Sequence, residues 1–158
     1  MPNWCGNTNI YWTKEEYKDE LEKLYELIKN EFTKYQNSDE IKLLWLKILL
    51  DKSGLNSNRY ECRGYITGLG AIEKVKPNIL CFEVDTDTAW RPIPGAMKAL
   101  IRQYPHLHLA YCSEEPGAGI YVKKDYRGKF FTVAKTGIFN KEKFHHLQNQ
   151  AFLTMKSA

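Results

Sequence analysis

The sequence predicts an α+β fold in which an antiparallel sheet carries its helices on one face. Two patterns and one order carry that expectation. Residues 17–35 place Tyr17, Leu21, Leu24, Ile28, Phe32 and Tyr35 at helical spacings of three and four. Residues 79–88 alternate instead, with Leu80, Phe82, Val84 and Thr86 on one side and Cys81, Glu83, Asp85 and Asp87 on the other. One buried and one wet face favours antiparallel pairing. Along the chain the elements then run β-α-(α)-β-β-α-β. The 158 residues, 43% hydrophobic and 27% charged, suit one globular domain and not a disordered chain.

The first strand spans Thr8 to Trp12, and Thr13 followed by Glu16 reads as a capping box opening the long helix. Asn37 and Ser38 end that helix. Asp39 to Asp51 reads as a second helical segment, an insert whose Leu residues spread beyond a single face, either buried on several sides or offered to a partner. Residues 53–58 form a loop. Glu61 to Val75 carries Gly64, Gly68 and Gly70, as a bent or bulged strand does, and Lys76-Pro77-Asn78 turns it into the strand beginning at Ile79. Pro94 to Gln103 is a short helix with Pro in its first turn. His106 to Ser113 is the next strand. A hairpin through Ile120-Tyr121-Val122, a strand over Lys129 to Ala134 and a terminal helix from Asn140 to about Met155 complete the chain.

The order β-α-β-β-α-β is the ferredoxin-like split unit, a name for topology that implies no iron–sulfur cluster. The expected organisation is one such domain over residues 1–122, with the helical insert at about 39–51. A basic hairpin and helix, residues 123–158, pack on it as an extension. The start Met1-Pro2-Asn3-Trp4-Cys5-Gly6-Asn7 resembles that of the YubB-type family, as do Trp90-Arg91-Pro92 before the second helix and Tyr111-Cys112-Ser113-Glu114-Glu115-Pro116-Gly117. The resemblance covers roughly residues 1–122. It implies a ferredoxin-like domain encoded by a phage, plasmid or other mobile element, and it brings no catalytic residues with it.

No nucleophile elbow, phosphate-binding loop or zinc-protease signature is present. The cysteines, Cys5, Cys62, Cys81 and Cys112, lack C-x-x-C spacing and are expected as buried free thiols. No cofactor is expected. Glu83, Asp85 and Asp87, with Glu114 near the end of the neighbouring strand, are either a solvated sheet face or the carboxylates of a metal-dependent nuclease or hydrolase. His106 and His108 fall on one strand face. Cys112, the third ligand they would need, sits ~13 Å from the second His on a straight strand, which argues against a shared ion. Trp4 and Asn7 form either a binding notch or a packed sheet edge, and Trp90 and Arg91 either a recognition loop or an anchored turn. Arg63-Gly64-Tyr65-Ile66 is a fragment of an RNA-binding strand signature, but the acidic row beside it would repel phosphate.

Charge is distributed unevenly. Residues 1–79 are net zero, residues 80–122 net −2, and residues from Lys123 onward net +6, giving the overall +4. Lys123, Lys124, Arg127, Lys129, Lys135, Lys141 and Lys143 are therefore the candidates for an anionic partner. The N-terminus lacks the pattern of a secretory signal and no run is long enough to span a bilayer, so the bacterial cytoplasm is the expected location. The expectation for function is a small non-enzymatic binding protein of a phage or mobile element. It would occupy a host protein or nucleic-acid partner, as an antagonist of host defence would.

Overall fold

A computed structural model describes residues 3–40, 42–115, 120–126 and 135–138. Within them the chain is α+β, with three α-helices and eight strands. The strands are β1 (Trp4–Lys14), β2 (Leu44–Trp45), β3 (Gly64–Leu69), β4 (Glu73–Lys76), β5 (Ile79–Ala89), β6 (His108–Glu115), β7 (Ile120–Tyr126) and β8 (Lys135–Ile138). They form one sheet in the order β2-β3-β5-β1-β6-β7-β8, with β4 continuing the β3 side of β5, and every pairing is antiparallel. The helices are α1 (Lys18–Gln36), α2 (Leu46–Lys52) and α3 (Pro94–Leu100).

The two-residue period decides which side chains meet the helices. Tyr11 of β1, Phe82 and Val84 of β5 and Leu109 of β6 form one buried cluster with Leu21, Leu24 and Ile28 of α1 and with Met97 and Leu100 of α3. Each Leu or Phe fully buried this way contributes about 1.5–3 kcal/mol. Tyr11 also donates its hydroxyl to the Met97 carbonyl at 2.8 Å, tying α3 to the central strand, and burial pushes its phenol well above the ordinary value.

Several sequence expectations change. β1 runs from Trp4 to Lys14, so Trp4 and Asn7 lie inside it and not before it. Thr13 is no helix cap: its hydroxyl donates to the His106 carbonyl at 2.8 Å, a 3₁₀ turn occupies Glu15–Tyr17, and α1 starts at Lys18 without a side-chain cap. A sheet position took the hydroxyl that a helix end would have used. The segment expected as helix from Asp39 to Asp51 is helical only from Leu46. Leu44 and Trp45 instead pair with Ile66 and Tyr65 as a two-residue edge strand. Leu44, Leu46, Leu49 and Leu50 are all core, which accounts for a leucine run too broad for one helical face.

The expected bulge is present. Register shifts between Ile66 and Gly68, and the strand foreseen over residues 61–75 divides into β3 and β4 along β5. α3 and the 3₁₀ turn Ile101–Gln103 match the predicted helix, with Pro94 in the first turn. β6 begins at His108, so His106 precedes the strand and does not share a face with His108. It stacks on Tyr17 at 3.7 Å and its Nδ1 lies 2.6 Å from Glu20. The strand expected over Lys129–Ala134 and the terminal helix over 140–155 lie outside the described residues. No helix among those described is long and apolar enough to cross a membrane.

Candidate functional site

The chemistry concentrates where β1 begins and β5 ends, on the sheet face away from the helices. Trp4 pairs with Ala89, Tyr65 with Asp87, and Trp45 with Tyr65. These registers bring three rings into a row. Tyr65 meets Trp4 edge-on at 5.2 Å and Trp45 edge-on at 5.3 Å. Edge-to-face contact holds the row together, each contact setting the edge of one ring against the face of its neighbour. Trp4 and Trp45 are 38% and 37% exposed, well beyond what a packed sheet edge needs.

Trp90 follows at the end of β5, 55% exposed and with a φ of 71°. A bulky side chain in the left-handed region is strained, and such strain gathers at functional positions. The turn is held from both sides. Trp90 N–H donates to the Asn3 carbonyl at 2.7 Å, and Thr88 Oγ1 donates to the Arg91 carbonyl at 3.1 Å.

Asn7 underpins this end from a buried position. Its Nδ2 donates to the Cys5 carbonyl, the Thr86 carbonyl and Thr88 Oγ1 at 2.9, 3.0 and 3.1 Å, and its Oδ1 accepts from the Tyr111 hydroxyl. Asn7 is therefore a buried fastener and not a contact residue. Arg91 is exposed, but both arms of its guanidinium hold Glu61, at 3.0 and 2.8 Å. Lys123 and Lys124 fall in β7 and Lys135 in β8, with Lys123 paired to Cys112, Lys124 to Tyr111 and Lys135 to Lys123. Arg127, Lys129, Lys141 and Lys143 lie outside the described residues.

Beside the rings runs the row Glu83, Asp85 and Asp87. A groove of about 260 Å³ is lined by Thr8, Thr67, Asp85, Asp87 and Glu114 together with Gly6. Asp85 accepts from Thr8 Oγ1 at 3.3 Å and Asp87 from the Tyr65 hydroxyl at 3.5 Å. Among the described residues, no three His, Cys, Asp or Glu side chains come together as a metal site would require. Burial pushes the Cys5 and Cys81 thiols up to about 11 and about 12, so neither supplies a thiolate near neutrality.

Glu83 sits at the wall of a second cavity, about 470 Å³, whose apolar lining includes Ile10, Leu69, Val75 and Cys81. Burial pushes its carboxyl up to about 7, the adjacent Asp85 charge adds to the effect, and the two share a hydrogen bond. The folded state thus holds this proton more tightly than the unfolded chain. Its stabilising contribution is complete below about pH 4.5 and is lost as pH rises through about 7. Glu83→Gln keeps a hydrogen-bond donor and discards the titration. After allowance for solvent screening at this half-exposed position, it should exceed wild type by ~1 kcal/mol at pH 8 and match it at pH 4.5. Urea unfolding at both pH values measures the gap, and a gap that does not widen with pH contradicts the assignment.

The ring row is not legible in the sequence, because the leucine-rich pattern over Asp39–Asp51 predicts a helix for Trp45, which lies in β2. The signal that pointed to it is Arg63-Gly64-Tyr65-Ile66, which put an aromatic residue on a strand with no evident use. Comparison of the chain with protein-family models, with curated proteins and with solved structures finds no match.

Proposed function

We propose that the chain is a small non-enzymatic binding protein that docks a protein partner on the aromatic end of its sheet. One observation carries the reading. The large hydrophobic side chains exposed among the described residues are Trp4, Leu43, Trp45 and Trp90, and all four belong to chain segments that meet at this end. Tryptophans anchored on a rigid sheet and left in water are what a partner's hot spot requires. A shallow apolar groove of about 480 Å³, lined by Trp45, Ile48 and Cys62 and rimmed by Lys47, Glu61 and Arg63, adjoins the row.

The remaining parts of the reading rest on order and resemblance. Strand order β3-β5-β1-β6, with α1 following β1 and α3 following β5, supports a ferredoxin-like unit. In it β2 and α2 are the insert and β7 and β8 the extension. The YubB-like start, residues 1–7, supports an origin in a phage or other mobile element. Occupying a host-defence protein in the bacterial cytoplasm is the action that fits such an origin and a site without catalytic machinery.

The double variant Trp45→Ala/Trp90→Ala tests the docking surface. Both side chains are exposed, so the fold should persist. Capture of a stoichiometric partner from host lysate should fall by roughly 10-fold or more, since one tryptophan hot spot is worth about 2 kcal/mol. Equal capture by the wild type and a folded variant contradicts the proposal, as does the absence of any stoichiometric partner.

A further inference from the structure

We propose that the partner engages this surface as a cationic polypeptide segment. An apolar side chain would seat in the groove of Trp45, Ile48 and Cys62, and an arginine would lie over the ring row against Asp85 and Asp87. The inference deepens the docking reading above and rests on it.

Charge complementarity selects the occupant. Asp85 and Asp87 accept hydrogen bonds from Thr8 and Tyr65, but among the described residues neither has an ion-pair partner. Burial raises both carboxyls above their ordinary values, the direction expected of negative groups that no cation offsets. Among the described residues, the groove that holds them has no Lys or Arg in its wall. A nucleic acid could stack its bases on such rings, but its phosphates would then lie beside this carboxylate row. A guanidinium satisfies both halves of the site: its flat face stacks on an aromatic ring and its N–H edge reaches carboxylates.

Geometry fixes the spacing of the two anchors. From Trp45 across Tyr65 to Asp87 is two strand separations, about 10 Å. Trp45 is itself in the groove wall, so one extended segment that reaches from the groove to Asp87 holds its apolar and basic residues about four positions apart. At that even spacing both side chains project from the same side of the segment. Along the rim, Arg91 is held by Glu61 and does not compete for Asp85 or Asp87.

The test uses the full chain and a synthetic peptide, Gly-Leu-Ser-Ser-Ser-Arg-Gly, with tryptophan fluorescence as the readout. The wild type should bind it at least about 10 times more tightly than the same peptide with Gln in place of Arg. Asp85→Asn/Asp87→Asn should erase that preference, and Trp45→Ala should weaken both peptides. Equal binding of the Arg and Gln peptides overturns the inference. So does an undiminished preference in Asp85→Asn/Asp87→Asn, or tighter binding of single-stranded oligouridylate than of the Arg peptide. Partner capture separates this from the docking reading. If Trp45→Ala/Trp90→Ala loses the partner while Asp85→Asn/Asp87→Asn retains it fully, docking stands and the cationic segment falls. If capture never depends on the tryptophans, both fall together.

Discussion

Asn7→Asp should destabilise the fold by ~3–5 kcal/mol at pH 7, the cost of a buried charge without a partner. The substitution changes one NH₂ group to oxygen and almost nothing in volume. Yet that NH₂ serves three acceptors, two of them the backbone carbonyls of Cys5 and Thr86. An aspartate would aim a second oxygen at those carbonyls inside a site that is 4% exposed. The new carboxyl would escape by holding a proton, so its folded pKa rises. Stability lost at pH 7 should therefore be partly regained as pH falls toward the unfolded value near 4. Chemical denaturation at pH 5 and pH 7 measures both effects. A loss below 1 kcal/mol at pH 7 would show that Asn7 is not the fastener described. The damage should reach the surface as well, because Asn7 also holds Thr88, which in turn holds the Trp90 turn.

Gly64→Ala should cost ~3 kcal/mol or more, at the upper end of overpacking losses. A Cβ built at Gly64 would lie 2.5 Å from the Asp87 carbonyl oxygen and 2.8 Å from the Thr88 methyl. Neither is the free end of a flexible chain; the first is backbone of β5 at the middle of the sheet. Relief requires β3 to move away from β5, and Tyr65, the next residue, is the centre of the ring row. Thermal unfolding should show the loss, and the fluorescence of Trp4 and Trp45 should change before global unfolding. A variant with wild-type stability would mean that β3 shifts freely along β5 and that the ring row is not rigid.

Legibility in the sequence followed the physics of each segment. α1 is clear because Leu21, Leu24, Ile28, Phe32 and Tyr35 repeat at helical spacing along it, and β5 because Leu80, Phe82 and Val84 alternate with Cys81, Glu83 and Asp85. The Leu43–Leu50 run has no period to read. Leu44, Leu46, Leu49 and Leu50 face the core from two different elements while Leu43 is exposed, so tertiary packing, and not local pattern, divides the run into β2 and α2. The capping box at Thr13 was a true local signature overruled by a long-range partner, the His106 carbonyl 93 residues away. Among site residues, Trp4 and Trp90 could be singled out as conspicuous aromatics. The row could not, since Trp4, Tyr65 and Trp45 meet only through registers spanning β2, β3, β5 and β1. Asn7 reads from sequence as a residue before the first strand, a notch or a turn fastener; only the extension of β1 to Trp4 makes it a buried strand residue.

The shortness of β2 bears on how a sheet margin can display indole rings without offering a backbone template. A long strand at the sheet margin would offer a ladder of unsatisfied N–H and C=O groups, and with tryptophans beside it would invite copies to stack edge to edge. β2 covers the margin for two residues only, and past it the β3 backbone is offset by the shift between Ile66 and Gly68. At this margin a second molecule finds no straight run to extend. The margin is adhesive through its side chains and poor as a template through its backbone, which separates recognition from self-assembly.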